Sequence, residues 1–326
     1  MLNASYVKLG KEFDKHLAGV VKHLPKNPKN LYAPVDYFLG LGGKRLRPLL
    51  VLIAADCFKE RSKDALPAAA AVELFHNFSL IHDDIMDNAP LRRGKQTVHE
   101  KWNSNIGILS GDVLLVKAYQ QIALCKKVDV LQEIFSKTAI EVCEGQQYDM
   151  DFESRADVSI KEYLKMIRLK TAVLLAASLQ MGALCGGAKT KSAQTFYKAG
   201  ENLGMAFQLT DDYLDVFGSS EKTGKQEGGD IISNKKTWLL IKAFELADTT
   251  QKNLLNDWLG KKEFDSREKV SAVKNIFLDL DLNNLLEKQI DSYYKKAFKD
   301  LRAACPNKVK IESFIEFVKT LMHREK

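Results

Sequence analysis

The sequence predicts an all-α protein built as a single domain over residues 1–326. Apolar residues recur at spacings of three and four, as at Leu9, Phe13, Leu17 and Val20, which is the period of one helix face. No run of alternating β-branched and polar residues persists, so no sheet is predicted. The 326 residues include only 7 prolines and no flexible linker, and 45% are hydrophobic, which is enough for one large core.

Helix breakers divide the chain into predicted helices. Pro25, Pro28 and Asn30 end the first helix, and Pro34 suits the start of the second. Four alanines at residues 68–71 predict a buried helix that a neighbouring helix can approach closely. The predicted helices cover residues 1–22, 34–40, 49–58, 65–87, 106–125, 128–149, 160–184 and 192–217, and helices with charged faces fill the last third.

A duplicated acidic motif carries the clearest chemical signal. Residues 83–87 read D-D-x-x-D, and residues 211–215 repeat this pattern. On a helix, the outer aspartates of each copy lie one turn apart on one face. A single copy would be explained as a solvated face, but both copies have large apolar neighbours. They therefore predict two walls of a cavity that binds a polyanion through metal ions, and oxygen ligands favour Mg²⁺.

Cations near these motifs are candidate phosphate ligands. Residues 42–48 read G-G-K-R-L-R-P, in which two glycines free the backbone before three cations; a basic helix start explains this segment equally well. Arg92 and Arg93 follow the first acidic motif, and paired arginines suit bidentate phosphate binding; a solvated turn is the alternative. Lys170 and Thr171 lie in an apolar helix, where a lysine needs a partner or reaches the surface.

Two polar residues and one loop complete the candidate site. His76 precedes the first acidic motif by two turns on nearly the same face, with a core histidine as the alternative. Gln208 precedes the second motif by three residues and shares its face. Residues 218–229 form a polar, glycine-rich loop that carries Lys225 and is predicted to close over the bound polyanion. Lys235 follows this loop.

Charge and cysteine usage exclude some classes of function. The net charge of +7 is spread along the chain without interleaved aromatics, which favours small anionic ligands over nucleic acid. The 5 cysteines show no metal-ligand spacing, as expected for free thiols in a reducing cytoplasm. The most apolar stretch, residues 171–188, is barely long enough to span a bilayer, so a buried core helix is predicted rather than stable membrane insertion.

Taken in order, the motifs resemble those of trans-isoprenyl diphosphate synthases, the head-to-tail prenyltransferases. The matching segments are G-G-K-R-L-R-P, L-I-H-D-D-x-x-D, L-R-R-G, K-T, F-Q-x-x-D-D-x-x-D, and G-G-D with a lysine five residues beyond Asp230. The resemblance implies the isoprenoid synthase fold, with about a dozen helices around a deep central cavity, usually as a homodimer. It also implies Mg²⁺-dependent condensation of isopentenyl diphosphate with an allylic diphosphate, which releases diphosphate.

The same resemblance implies roles for the matched residues. About three Mg²⁺ would be held on the allylic diphosphate by Asp83, Asp84, Asp87, Asp211, Asp212 and Asp215, with Asp83, Asp87 and Asp211 as the most direct ligands. The isopentenyl diphosphate site would comprise Gly43, Lys44, Arg47, His76 and Arg93. The allylic diphosphate site would comprise Arg92, Lys170, Thr171, Gln208, Lys225 and Lys235, of which Lys170, Thr171 and Gln208 are the candidate catalytic residues.

Product length is expected to depend on the residues before the first acidic motif. Phe78 lies five residues before Asp83, about 7.5 Å along the helix, and the small Ser79 follows it. One aromatic here, without an insertion in the motif, resembles the geranylgeranyl (C20) type more than the farnesyl (C15) type. An ideal helix points Phe78 away from Asp83, so this assignment rests on the resemblance, and a plain core aromatic is the alternative. Phe75 could form a second floor residue.

Two other enzyme classes remain as alternatives. A longer-chain polyprenyl diphosphate synthase would differ mainly in the cavity floor. A class I terpene cyclase also ionises prenyl diphosphates with a D-D-x-x-D helix, but it normally has a different second motif and no isopentenyl diphosphate site. The intact second motif and the segment at residues 42–48 therefore favour a synthase.

Overall fold

The computed structural model describes residues 4–58, 62–218 and 228–325. These residues are predominantly helical, and the predicted all-α fold is confirmed. A 3₁₀ segment (Ser62–Ala65) precedes α4, and a π-helical turn (Arg168–Ala172) joins α8 to α9. The described α-helices are α1 (Ala4–Lys22), α2 (Lys29–Gly40), α3 (Leu46–Asp56), α4 (Leu66–Met86), α5 (Val98–Lys101), α6 (Ser104–Ile122), α7 (Val128–Ser154), α8 (Ile160–Ile167), α9 (Val173–Cys185), α10 (Thr190–Phe217), α11 (Gly229–Ile232), α12 (Trp238–Leu246), α13 (Thr249–Gly260), α14 (Ser266–Asp279), α15 (Leu282–Ala304) and α16 (Lys308–Glu325).

The start of α2 differs from the predicted start. The helix begins at Lys29 rather than near Pro34, so Pro34 lies inside it. Pro34 lacks an N–H group and therefore leaves the carbonyl of Asn30 without its helical donor. The missing hydrogen bond lies in the first turns of α2. The apolar residues that follow keep the segment helical, because Val35 and Phe38 are fully buried.

A small hairpin corrects the prediction that the chain contains no sheet. Strand β1 (Leu91–Arg92) pairs antiparallel with β2 (Lys95–Gln96). Between them, Arg93 and Gly94 have φ angles of 54° and 72°. Two consecutive positive φ angles are typical of the type I′ turn that matches strand twist. Two residues per strand are too few to give an alternating sequence pattern, so periodicity could not detect this hairpin.

The chain packs as two compact units. The first unit comprises Met1–Ala139, Ala177–Tyr197 and Ala304–Phe314, and the second comprises Ile140–Ala176, Lys198–Ala303 and Ile315–Lys326. The predicted single domain, central cavity and homodimer stay predictions.

The core of the first unit is built on α4. Its four consecutive alanines, residues 68–71, are fully buried, as the sequence predicts. Helix α6 approaches α4 through glycines, because a Cβ on Gly111 would lie 2.3 Å from Nε2 of His82. Helix α9 approaches α3 in the same way at Gly182. Small residues therefore set the helix spacing in this unit.

The apolar stretch around α9 is a core helix, as predicted. Among the described residues, the continuous helical segment Ile160–Cys185 is long and apolar enough to cross a membrane, but 78% of its most apolar window is buried inside the protein. In the second unit, a Cβ on Gly204 would lie 2.4 Å from the α-carbon of Ala172. Helix α10 thus approaches the middle of this segment almost backbone to backbone.

Replacing Gly182 by alanine should destabilise the protein. The added Cβ would lie 2.1 Å from the carbonyl oxygen of Val51, and overpacking of this kind costs about 1–3 kcal/mol. Gly10 in α1 is the matched control, since a Cβ there meets no atom within 4 Å. Gly10→Ala should instead stabilise α1 by about 0.5–1 kcal/mol. Urea denaturation measures both changes, and equal effects in the two variants would contradict this packing.

Candidate active site

The first acidic motif combines one buried carboxylate with two accessible ones. Asp84 is 1% exposed and accepts bonds from Arg92 Nε at 2.7 and 2.8 Å and from Arg92 Nη2 at 2.7 Å. Burial raises the pKa of Asp84, and the Arg92 guanidinium opposes this shift. Asp83 is half-buried with an oxygen 3.7 Å from Arg92 Nη2, and Asp87 is exposed at the end of α4. The hairpin therefore fixes the middle aspartate and leaves its neighbours accessible.

The segment before α3 holds one arginine for structure and another beside a histidine. Arg45 has a left-handed φ of 47°, forms an ion pair with the buried Glu73 and donates to the carbonyl of Leu39 at 2.9 Å. Arg47 Nη1 donates to Nε2 of His76 at 3.1 Å. Desolvation and the Arg47 charge hold the pKa of His76 well below its usual value. His76 is therefore neutral, because a guanidinium can only donate and Nε2 must accept.

Arg93 reaches back from the hairpin turn to the glycines. Its Nη1 donates to the carbonyl of Gly42. Gly43 has a φ of 142°, a conformation that favours glycine, and a Cβ there would lie 2.8 Å from Arg93 Nη2. Lys44 is exposed beside them. The structure thus joins Gly43 to Arg93 and Arg47 to His76, which pairs four of the five predicted isopentenyl diphosphate residues.

The second acidic motif repeats the same arrangement with different partners. Asp212 is buried and accepts from the Tyr163 hydroxyl and from Gln208 Nε2 at 3.3 Å. Gln208 Oε1 in turn accepts from the Thr171 hydroxyl at 3.0 Å. Burial raises the pKa of Asp212 to about 7. Asp211, beside it, is exposed. Again the middle aspartate is enclosed and a neighbour is accessible.

The third aspartate of this motif is bound by the turn that follows the glycine-rich loop. Asp215 Oδ2 accepts the backbone N–H of Asp230 at 2.9 Å, and its carbonyl accepts the N–H of Gly228 at 2.7 Å. Lys235 is exposed and its N–H bonds the carbonyl of Asp230 at 2.9 Å. Lys225 and residues 219–227 of the predicted lid at residues 218–229 lie outside the described residues.

Lys170 and Thr171 lie in the π-helical turn, which the sequence did not predict. Lys170 Nζ bonds Asp149 Oδ2 at 2.5 Å. A Cβ on Gly145 would lie 2.2 Å from the backbone N of Lys170, so this glycine of α7 admits the widened turn. An isolated glycine in a helical pattern signals such a close approach. Single π turns occur often at functional sites.

Lys269 is a further residue that no sequence pattern singled out. This lysine of α14 is 0% exposed, and its Nζ donates to Asn234 Oδ1 at 2.6 Å and to the carbonyl of Ile232 at 3.2 Å. Burial lowers the pKa of Lys269. Asn234 has a φ of 55° and donates to the carbonyl of Leu259 at 3.1 Å. Lys269 therefore secures the end of α11, the turn that presents Lys235.

The donor set is suited to magnesium shared with a phosphate ligand. Within residues 4–58, 62–218 and 228–325, no three histidine, cysteine or acidic side chains converge closely enough to hold a metal alone. Asp84 and Asp212 are buried with hydrogen-bond partners, whereas Asp83, Asp87 and Asp211 reach solvent. Mg²⁺ commonly takes one or two carboxylates and completes its shell with water and substrate phosphate. The accessible aspartates fit that role.

Comparison with known proteins identifies the family. The family model described as polyprenyl synthetase matches residues 28–277. The chain belongs to the polyprenyl synthetase family. The prediction made from the motifs is therefore confirmed, and the family contains prenyl-transferring enzymes.

Individual relatives agree over most of their length. The chain is 40% identical to a geranylgeranyl diphosphate synthase of Methanosarcina mazei, over 89% of this chain and 90% of the relative. It is 35% identical to a geranylfarnesyl diphosphate synthase of Aeropyrum pernix, over 86% and 89%. A crystal structure of a geranylgeranyl pyrophosphate synthase is 45% identical, with a TM-score of 0.92 over 98% of this chain and 99% of that one.

Replacing Lys269 by methionine should disturb the turn at α11. Two acceptors would lose their donor, at a cost of about 1–3 kcal/mol, and Lys235 would shift. We expect the KM for the allylic diphosphate to rise about tenfold while that for isopentenyl diphosphate stays unchanged. Lys288→Met, at an exposed position of α15, is the control. Equal changes in both KM values would indicate general loss of structure instead.

Proposed function

We propose that this enzyme condenses isopentenyl diphosphate with an allylic diphosphate, in the presence of Mg²⁺, to give the C20 product geranylgeranyl diphosphate. The observation that carries this proposal is the full-length similarity to geranylgeranyl diphosphate synthases, at 40% identity over 89% of the chain. The arrangement of both acidic motifs and of the arginine cluster, formed by Arg45, Arg47, Arg92 and Arg93, supports it.

The charges around the segment at residues 42–48 are suited to binding a diphosphate. Two arginines there face carboxylates: Arg45 faces Glu73, and Arg92 faces Asp84. The other two face neutral acceptors, since Arg47 bonds the neutral His76 and Arg93 bonds a carbonyl. Their two positive charges are available to an anion, and guanidinium groups bind phosphate bidentately. We assign Arg47 and Arg93, with His76, Gly43 and Lys44, to isopentenyl diphosphate.

Ionisation of the allylic diphosphate leaves a carbocation and a departing diphosphate. When bound, Mg²⁺ supplies Lewis-acid stabilisation to that leaving group, and Asp83, Asp87 and Asp211 are assigned as its ligands. Lys170, Arg92, Lys225 and Lys235 are assigned to the same diphosphate, where cations oppose the developing charge. The isopentenyl double bond then attacks the cation, and the released diphosphate accepts the proton that leaves.

Thr171 and Gln208 are assigned to orient the reacting carbon. Their hydrogen bond is fixed because Gln208 also donates to the buried Asp212, which Tyr163 binds from the other side. The chain of bonds leaves the Gln208 carbonyl oxygen directed at Thr171. Oriented dipoles of this kind stabilise charge without reorganisation during the reaction.

A C25 product is the second candidate, because the geranylfarnesyl diphosphate synthase of Aeropyrum pernix is also similar over most of the chain. A still longer product remains the alternative from sequence. A terpene cyclase is disfavoured, since the paired Arg47 and His76 serve a second diphosphate that a cyclase does not bind.

We also propose a homodimer in the cytoplasm. Leu109 and Val116 are each 58% exposed on α6 and lie seven residues apart, on one helix face. An exposed apolar stripe of this kind suits burial against a second copy. The cytoplasmic location is supported by the 5 cysteines without metal-ligand spacing.

Both acidic motifs should be essential for turnover. We expect Asp83→Ala and Asp211→Ala each to lower kcat by about 10²–10³-fold or more, because a ligand for the diphosphate-bound metal is lost. Steady-state assays with Mg²⁺ and both diphosphates measure this, and EDTA should abolish activity of the unmodified enzyme.

The control for these variants is Asp291→Ala, at an exposed position of α15. It should retain normal kcat and the same circular dichroism spectrum as the two motif variants. Near-normal turnover of Asp83→Ala or Asp211→Ala would contradict the assignment of these residues as metal ligands.

Phe78 is the proposed determinant of product length. Its ring is 8% exposed and lies 4.7 Å from the His82 ring and 5.5 Å from that of Phe75. Phe75 in turn packs against Phe135 at 5.5 Å. Ser79 donates to the carbonyl of His76 at 2.9 Å and adds little bulk. Phe78 is thus held by an aromatic cluster and would form a rigid wall for a growing chain.

Replacing Phe78 by alanine should lengthen the product. Removal of the ring opens space beside Ser79, so we expect C25 and longer diphosphates in place of C20. Chromatography of the dephosphorylated products measures the shift. Phe196→Ala is the matched control, because Phe196 is a fully buried aromatic of α10 and its truncation costs a similar 3–5 kcal/mol, roughly, in stability. An unchanged distribution in Phe78→Ala would exclude Phe78 as the floor.

A further inference from the structure

A groove in the first unit lies apart from the residues assigned to catalysis. It is lined by one side of α1, the start of α4 and the C-terminal part of α6, and its volume is about 800 Å³. We call it the α1–α6 groove. Volumes of about 300–1,000 Å³ are typical of sites for small molecules. None of its lining residues belongs to an acidic motif or to the arginine cluster.

Two polar side chains of the groove have atoms that lack partners. Gln121 is only 9% exposed, and its Oε1 has no hydrogen-bond partner. Nε2 of His16 is likewise out of solvent and without a partner. Buried polar atoms are nearly always hydrogen-bonded in folded proteins. Two such atoms in one groove leave hydrogen-bonding capacity that a polar ligand group can satisfy.

The remaining lining separates into a basic rim and an apolar wall. Lys15, Lys63 and Lys117 line the groove, against one acidic residue, Glu12. Lys117 Nζ is held in place by Gln120 Oε1 at 3.0 Å. This excess of positive charge favours an anionic group at the rim.

The apolar wall is formed by four side chains. Val20 and Leu24 come from α1 and the residues just after it, Leu66 from the start of α4, and Leu124 from the residues after α6. An apolar wall beside a basic rim matches an amphiphile, because the anionic head binds the cations while the chain removes apolar surface from water.

We propose that the α1–α6 groove is a second binding site, for a single-chain phosphate amphiphile. A hydroxyl or protonated oxygen of the phosphate head donates to Gln121 Oε1, and its other oxygens accept from His16 and the lysines. Both the enzyme's own type of product and single-chain phospholipids have this chemistry. The assignment of the enzyme's own type of product as ligand rests on the proposed function. The proposal that the groove binds a phosphate amphiphile does not.

The test compares two tryptophan variants of α1. Gly19 lines the groove and its Cβ position is open, so Gly19→Trp fills the groove without a clash. Gly10 is equally open on the same helix but does not line the groove, and Gly10→Trp is the matched control. The probes are geranylgeranyl monophosphate, a lysophosphatidic acid and inorganic phosphate. Calorimetric titration below the micelle concentration, with EDTA present, measures each Kd without metal-dependent binding.

We expect the unmodified protein and Gly10→Trp to bind one or both amphiphiles with the same Kd, and Gly19→Trp to bind at least about tenfold more weakly. The tighter of the two amphiphiles identifies the source. Lys117→Gln should weaken amphiphile binding about tenfold through loss of a charge-assisted hydrogen bond. This variant provides an independent test if Gly19→Trp fails to fold.

Equal Kd values in Gly19→Trp and Gly10→Trp, or inorganic phosphate binding as tightly as either amphiphile, would overturn the proposal. Synthase activity is measured in parallel with Mg²⁺ and both diphosphates. Gly19→Trp should retain it, so loss of groove binding with normal activity supports the second site. A protein that binds amphiphile in the groove but makes no prenyl product would contradict the proposed function and leave the second binding site supported.

Discussion

A carboxylate buried in protein must be paired with donors, and both acidic motifs are built on that requirement. Asp84 is enclosed by the Arg92 guanidinium, and Asp212 by the Tyr163 hydroxyl and the Gln208 amide. Removing one partner from a buried charge costs about 3–5 kcal/mol. The enclosed aspartates therefore anchor their helices to the hairpin and to α8. Their neighbours in sequence, Asp83 and Asp211, are more accessible to solvent.

Two residues of these hydrogen-bond networks come from short irregular segments that long helices hold in place. Arg92 lies in a strand of two residues, and Thr171 lies in the π-helical turn. Such segments have few backbone bonds of their own, so side chains fix them. Lys269 does so for α11, where its ammonium group satisfies the carbonyl of Ile232. The local structure thus also depends on a residue, Lys269, that lies outside the recognisable motifs.

The sequence predicted the long helices and the acidic motifs well, because both have regular spacing. The helix at residues 128–149 was found from periodicity alone, although α7 continues to Ser154. The hairpin at Arg92 was missed because two-residue strands have no period. The π turn was missed because it interrupts neither the apolar pattern nor the helix. The hydrogen bond from Lys269 to Asn234 joins residues 35 apart, and no local pattern encodes it.

The structure separates two cations that the resemblance had assigned to the same diphosphate. Arg92 faces the carboxylate of Asp84, which is 1% exposed. If Arg92 left Asp84, the buried charge would be unpaired, at a cost of about 3–5 kcal/mol. Lys170 faces Asp149, and both side chains are more than a quarter exposed.

Partly exposed ion pairs contribute only about 0–1 kcal/mol, so the pair between Lys170 and Asp149 adds little to stability. Arg92 instead keeps its bond to Asp84, because that carboxylate is buried. The two cations therefore differ in how they are held: Lys170 belongs to a partly exposed ion pair, whereas Arg92 is a fixed part of the site whose geometry the hairpin determines.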